Sequence, residues 1–248
     1  MSASGATPQG TSDPQAAARA VQRMFDEIAP RYDLLNHVLS ANIDRVWWRR
    51  TARAFSATLR RPEARVLDLC CGTGDMTLAL CALRPASAAP IAAADFSHPM
   101  LTRGADKFRE RGAGVIAIEA DALRMPFPAE HFDLVVSAFG FRNLADYGAG
   151  LREIARVLRP GGEMGILDFS EPEGVLGKLY RFYFRHILPK LGGALSGNTA
   201  AYNYLPSSVS KFPAPPEMLE RMREAGFTDV SWTPYSFGIA GLYRGTKG

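Results

Sequence analysis

Hydrophobic residues in the middle of the chain come in short dense runs, not in one long periodic stripe. Arg65–Leu69, Ile91–Ala94, Val115–Ala120 and Phe132–Ser137 are such runs, and a fifth ends near Asp168. Uninterrupted apolar runs of this kind read as strands buried on both faces. Between them lie segments with helical spacing. Met76–Leu83 is one, another opens at Pro99-Met100-Leu101, and a third closes at Arg156-Val157-Leu158 before Arg159-Pro160-Gly161-Gly162. Strand and helix in alternation predict an α/β fold with a doubly wound, mostly parallel sheet.

The two ends of the chain change pattern. Ala16–Glu27 carries Val21, Met24, Phe25 and Ile28 on one helical face, and Pro30 with Arg31-Tyr32-Asp33 interrupts it. Leu34–Leu39 is a short helical piece. Asp44 is placed to cap a longer helix through Leu59, with Val46, Trp47, Arg50 and Ala54 along it. Near the other end, Pro215–Ala225 is a helix with Met218, Leu219 and Met222 inward and Gly226 as its stop. Thr228–Ser236 and Ile239–Gly245 read as two closing strands. In the segment from Glu171 to Pro213, Leu176, Tyr180, Tyr183, Phe184 and Ile187 share one helical face, while Lys178, Arg181 and Arg185 lie on another. Such a stripe suits a membrane surface, a substrate tail, a core helix or a homodimer interface.

At 248 residues the chain is long enough for one domain with a full core. Residues 1–15, mostly Ser, Ala, Gly, Pro and Gln, are expected to be disordered, with one domain over 16–248. Residues 16–61 form its helical cap and 171–213 its helical insertion. The net charge of +4 permits attraction to nucleic acid or anionic lipid without establishing either. Arginines crowd positions 45 to 61, but no aromatic RNA-stacking pattern accompanies them, so nucleic acid is not expected. They read first as a solvated helix face and second as a membrane attraction. No apolar run is long enough to cross a bilayer, and the N-terminus has no apolar signal core.

The three cysteines, Cys70, Cys71 and Cys81, lack a disulfide spacing, which suits a reducing cytoplasm. Adjacent Cys70 and Cys71 are either a redox or metal pair or small residues packed under a turn. The four histidines have no ligand spacing, so no metal is expected.

The chemistry concentrates after the first strand, at Cys70-Cys71-Gly72-Thr73-Gly74-Asp75. Strand, glycine turn and helix open a nucleotide-binding βαβ unit. A dinucleotide fingerprint would place glycine or alanine at position 77, where this chain has threonine. Asp75 also stands where a pyrophosphate would sit, and two anions at one helix terminus are unfavourable. A ligand with a cationic centre fits better, and S-adenosylmethionine carries an ammonium and a sulfonium. Asp95 ends the second strand about 20 residues on, a spacing that suits a carboxylate on the ribose hydroxyls. Asp121 and Ala122 end the third and are placed to flank the adenine, with Met100 along it. Gly72, Thr73, Gly74, Asp95, Asp121, Ala122 and Ser137 are the candidate cofactor residues. Read singly, each aspartate is equally a cap or turn residue.

The chain resembles the quinone-biosynthesis C-methyltransferases, a family of class I S-adenosylmethionine-dependent methyltransferases, from about Val21 to Gly248. The resemblance rests on Phe25-Asp26-Glu27-Ile28-Ala29-Pro30-Arg31-Tyr32-Asp33, Trp47-Trp48-Arg49, Gly72-Thr73-Gly74-Asp75, Phe139-Gly140-Phe141-Arg142-Asn143 and Asp168-Phe169-Ser170. It implies a Rossmann-like seven-stranded sheet closed by an antiparallel hairpin. It also implies methyl transfer to a polyprenylated quinol, with demethylmenaquinol favoured and a methoxy-benzoquinol of ubiquinone biosynthesis, or another aromatic or lipid acceptor, the alternatives. The N-terminal region would close over the cofactor, in the cytoplasm or at the inner face of the cytoplasmic membrane. Arg142, Asn143 and Tyr32 become the catalytic candidates. Arg142 would meet a quinolate oxygen, or else a surface carboxylate such as Asp146; Tyr32 is a substrate contact or a packing residue. The chain departs from the family pattern at Cys70 and Cys71, where glycines are usual, and at Phe141, where leucine is usual.

Overall fold

The computed structural model describes residues 5–6, 13–31, 42–172, 177 and 199–248. Seven strands form one sheet: β1 Val66–Leu69, β2 Ile91–Asp95, β3 Val115–Glu119, β4 Phe132–Ala138, β5 Leu158–Phe169, β6 Phe227–Tyr235 and β7 Ala240–Lys247. Their spatial order is β3-β2-β1-β4-β5-β7-β6. The first five run parallel, and β7 is antiparallel to both β5 and β6. β1 is central, with Asp68 paired to Ala93 on one side and Val136 on the other. A parallel sheet covered on both faces needs apolar residues at successive positions, and every residue of β1 is buried.

The strand order reverses between β1 and β4, so the carboxyl ends of β2, β1 and β4 frame the crevice where such sheets bind ligands. Two apolar clusters flank the sheet. Val135, Leu67 and Ile166 point into one, against helices α6 Tyr147–Val157 and α8 Pro215–Glu224. Leu134, Val136, Val66 and Leu167 point into the other, with Trp47, Phe55 and Leu80. The alternation is the period of a strand. Each fully buried side chain of this size contributes about 1.5–3 kcal/mol.

The helical cap differs from expectation in two places. The helix expected over Asp44–Leu59 is broken into α2 Ile43–Ala54 and α3 Ser56–Leu59. Phe55 at the break has φ −112° and a buried ring. A Cβ added to Gly165 would lie 2.5 Å from that ring, so Phe55 wedges against β5 and ends the helix. Asn42, not Asp44, is the N-cap residue. Asp44 is buried in the first turn, where its charge favours the helix dipole.

Helix α1 Pro14–Ile28 starts on Asp13, whose side chain accepts from the Ala16 amide. It lies over the end of β2: Gln22 Nε2 donates to the Phe96 carbonyl at 2.7 Å, and the Ser97 hydroxyl donates to Asp26 at 2.5 Å. Of the terminus expected to be disordered, described Ala6 donates its amide to Leu144 O at 2.7 Å. Tyr32, the Leu34–Leu39 piece and the stripe of Leu176, Tyr180, Tyr183, Phe184 and Ile187 lie outside the described residues. Helices α4 Asp75–Cys81, α5 His98–Glu110 and α7 Thr199–Lys211 complete the described set. No described helix is long and apolar enough to cross a membrane.

Candidate active site at the carboxyl edge of the sheet

The chain leaves β1 through a turn of alternating hand. Cys70 has φ 56°, Gly72 φ 55° and Gly74 φ 85°. Two glycines meet that need without strain. Cys70 does not, at a cost of roughly 1–2 kcal/mol. Its side chain fills the space left by Gly140, whose added Cβ would sit 2.3 Å from the Cys70 Cβ. Gly74 is closed on its other side by Phe108 of α5, 2.2 Å from a Cβ built there. Cys70 and Cys71 are therefore packing residues of the turn. Burial, with Asp95 and Asp68 next, pushes both thiols up, so neither is a ready thiolate.

Asp95 anchors the turn to β2. Its Oδ2 accepts from the Gly72 amide at 2.7 Å and its Oδ1 from the Ser97 amide at 2.9 Å. Burial raises its pKa to about 6, against the pull of those backbone donors. Asp68 is fully buried in β1; its Oδ2 accepts from the Thr77 hydroxyl at 2.5 Å, while its Oδ1 has no hydrogen-bond partner. Burial lifts Asp68 to about 7, with Asp95 and Asp75 adding to it. Thr77, absent from the candidate set, thus ties helix α4 to the buried acid of β1. The sequence signal was its replacement of the dinucleotide glycine.

Asp75 behaves differently from the other acids. Lys107 of α5 meets it at 2.9 Å and also donates to Thr73 Oγ1 at 3.2 Å. Asp121 is exposed at the end of β3, and its Oδ1 accepts from the Leu123 amide at 2.9 Å. Ala122 is buried in the cluster that holds Leu69 and Ala94. Ser137, at the end of β4, is buried beside Cys70 and eases that thiol's pKa, although its hydroxyl makes no hydrogen bond of ordinary geometry. After burial, the carboxylates of Asp95 and Asp68 push up the Cys70 thiol, and Asp121 adds least. Gly72, Thr73, Gly74, Asp95, Asp121, Ala122 and Ser137 all fall on this edge. Met100, expected beside an adenine, is 2% exposed near the start of α5.

The other half of the edge is aromatic. Phe139 follows β4 with φ 59°, a left-handed conformation unfavourable for a bulky residue. Its ring centroid lies 4.6 Å from that of Phe169 and 5.7 Å from that of Trp47. Arg142, in the turn Phe141–Asn143, is buried, and its guanidinium lies 5.3 Å from the Phe169 ring centre.

The carboxylate that meets Arg142 is Asp168, not Asp146, which caps α6 through the Ala149 amide. Arg142 Nη1 donates to Asp168 Oδ1 at 3.0 Å, and the Arg142 amide donates to Oδ2 at 3.0 Å. The Phe169 amide adds a third donor at 2.9 Å. Burial raises Asp168, while Arg142 and the amides favour its charged form. Three donors to one carboxylate work against that rise. Arg142 Nη1 also donates to the Phe139 carbonyl, which locks the strained turn. Arg142 Nε is buried without a partner. Asn143 Oδ1 accepts from the Tyr204 hydroxyl at 3.1 Å, and burial raises that phenol to about 12. Tyr147 donates to the Arg142 carbonyl at 3.0 Å.

Asp168 could have been paired to Arg142 from the sequence only by knowing that β4 and β5 are neighbours. Ala138 pairs with Leu167, which sets the two residues side by side. Tyr204 stands in the segment Tyr202-Asn203-Tyr204-Leu205-Pro206, which resembles a Tyr-x-Tyr-Leu segment of the family but does not point to Asn143.

Strand order, glycine turn and acid-lined edge define a class I S-adenosylmethionine-dependent methyltransferase fold. Solved structures share it. A SAM-dependent methyltransferase from Thermotoga maritima superposes with TM-score 0.64 at 19% identity, over 91% of this chain and 99% of that one. The cyclase SpnF superposes with TM-score 0.68 at 18% identity, over 98% of both chains, so the fold alone leaves the reaction open. Sequence narrows it: residues 13–247 match the ubiE/COQ5 methyltransferase family, and the chain belongs to that family. It is similar to the demethylmenaquinone methyltransferase of Thermus thermophilus, 48% identical over 90% of this chain and 100% of the relative. The Deinococcus radiodurans protein of the same name is 45% identical over the full length of both. A ubiquinone/menaquinone biosynthesis C-methyltransferase, UbiE, of Geobacter sulfurreducens is 44% identical over 92% of this chain and 88% of the relative. Family and fold together imply S-adenosylmethionine as the methyl donor.

Proposed function

We propose that this enzyme methylates a ring carbon of a polyprenylated quinol, with demethylmenaquinol as its acceptor. The observation that carries the acceptor class is the pairing of an acid-lined glycine turn with an aromatic floor, Trp47, Phe139 and Phe169. The full-length similarity to two proteins named demethylmenaquinone methyltransferase supports the naphthoquinol over the benzoquinol.

The turn fits the proposed donor. Asp68 keeps an unsatisfied carboxylate oxygen and Asp95 lies at the ribose-side strand end, while the nearby Lys107 is engaged by Asp75. That donor set suits a cationic ligand and not a pyrophosphate. Gly72, Thr73, Gly74, Asp95, Asp121, Ala122 and Ser137 would hold it. S-adenosylmethionine, when bound, supplies an electrophilic methyl on sulfonium.

A phenol ring carbon is a weak nucleophile until the hydroxyl loses its proton, so the reduced quinol is the reactive form. The chain's own part is to stabilise that quinolate and exclude water. Arg142 Nε, buried without a partner, would be the donor offered to the substrate oxygen, while Nη1 serves Asp168 and Phe139. Asn143, its Oδ1 fixed by Tyr204, would orient the ring, with Tyr32 as a further contact. Alignment in a water-poor site supplies most of the remaining rate. A prenyl tail resides in a bilayer, so the enzyme works as a peripheral protein at the inner face of the cytoplasmic membrane.

The test is transfer of labelled methyl to demethylmenaquinone in detergent, with and without dithionite. Label in the lipid extract under reduction alone is expected. Cofactor binding without lipid label would discard this acceptor, and a benzoquinol would be assayed next.

A further inference from the structure

We infer that the exposed face of α2 and the Ser236–Gly238 turn form one docking surface for an anionic lipid bilayer, an inference that rests on the quinol reading for its orientation. Among the described residues, the large hydrophobic side chains left in solvent are Ile43 at 39% exposed, Val46 at 57%, Phe237 at 86% and, far off on edge strand β3, Ile116 at 55%. The first three come together. Ile43 and Val46 share the outer face of α2, three residues apart. The 3-10 turn carrying Phe237 is tied to the same helix. Trp47 Nε1 donates to Ser236 Oγ at 2.9 Å, and the Arg50 guanidinium lies 4.2 Å from the centre of the Tyr235 ring.

The backbone is strained to present that phenylalanine. Ser236 has φ 47° and Phe237 φ 59°, two successive left-handed residues, neither of them glycine. A turn built only to join β6 to β7 would carry Gly or Asn there. The exposed charge that α2 itself brings to the patch is positive, while Glu171 stands exposed past Ser170 on the turn side. Arg45, Arg49, Arg50 and Arg53 are exposed on α2, and its only acid, Asp44, is buried on the opposite face. Apolar tips beside the exposed arginines of α2 match an interface of acyl chains beneath anionic headgroups.

The place of the patch matters as much as its composition. The turn sits at the carboxyl end of β5, where the Ser170 amide donates to Ile239 O and the Ser170 hydroxyl donates to Gly238 O at 2.7 Å. Trp47, on the inner side of the same helix, meets Phe139 and Phe169 at the site. A bilayer on this face therefore lies next to the aromatic floor. A prenyl tail can remain in lipid while its ring reaches Arg142.

The experiment is flotation of the full chain with phosphatidylglycerol-containing vesicles and with pure phosphatidylcholine vesicles, comparing wild type, Val46→Asp/Phe237→Asp and Arg49→Gln/Arg53→Gln. Wild type is expected to bind the anionic vesicles, more weakly as salt rises. The apolar double variant should lose about 10-fold or more in partitioning. The arginine double variant should lose roughly 10- to 30-fold on anionic vesicles and little on neutral ones. Equal flotation of all three proteins would overturn the docking face, and so would wild-type binding to a single-stranded RNA in preference to vesicles. Methyl transfer to a short-tailed quinol in detergent, run on the same preparations, reads the function separately: unchanged turnover in both variants is expected. A quinol reading that failed would show there, independently of flotation.

Discussion

Replacing Asp168 by alanine removes the counter-charge of a buried guanidinium. The two side chains are 7% and 0% exposed, with the ion pair at 3.0 Å. Breaking a buried pair from one side strands the other charge and costs about 3–5 kcal/mol. Two backbone amides, of Arg142 and Phe169, lose their acceptor as well. The loss therefore belongs at the upper end of that range. For a chain of this size, about 2–4 °C of melting temperature accompany each kcal/mol, so Asp168→Ala should melt about 8–20 °C lower. Differential scanning fluorimetry with and without cofactor measures it. The double variant Arg142→Met/Asp168→Leu, which leaves no charge behind, should recover most of the stability while lacking turnover. A drop of less than about 2 °C in the single variant would mean that Arg142 finds solvent or another anion, and the assignment of its Nε to substrate would fall with it.

Four further outcomes follow from the same geometry. Gly140→Ala forces a methyl onto Cys70 and should lose about 1–3 kcal/mol in denaturant unfolding; adding Cys70→Gly should restore most of it, because both the clash and the left-handed cysteine disappear. Asp95 titrates near 6 in the free protein, and a cationic cofactor favours its carboxylate. Calorimetry should therefore show proton release on binding and affinity that rises from about pH 5 to 7 and then levels; Asp95→Asn should bind weakly with no such slope. Because Asp68 and Asp95 are raised above their ordinary 3.8, to about 7 and about 6, their contribution to apo stability is full below about pH 4. It is lost as pH rises through those values, and Asp68→Asn should flatten the melting-temperature profile across that window. Tyr204→Phe releases Asn143 at a cost of about 0.5–1.5 kcal/mol and should lower kcat more than it raises KM.

Much of this protein is legible along the chain because its information is local. Apolar runs such as Val66–Leu69 and Phe132–Ser137 mark buried parallel strands, since only a strand covered on both faces tolerates them. Thr77 and Asp75 at the glycine turn argue for a cationic ligand over a dinucleotide by residue type and position alone. The break at Phe55 was not legible, because it answers to a glycine more than a hundred positions away in β5. Nor was the partner of Arg142. Asp146, four residues on, is the nearer acid in sequence, but α6 claims it as a cap and strand pairing brings Asp168 alongside instead. Tyr204 reaches Asn143 only through the fold, and Phe237 becomes conspicuous only when its neighbours are seen to bury and it does not. Periodicity and turn chemistry are short-range consequences of backbone sterics, so one sequence suffices to read them. The partner of a buried charge is set by strand order and register, which exist only once the sheet has closed.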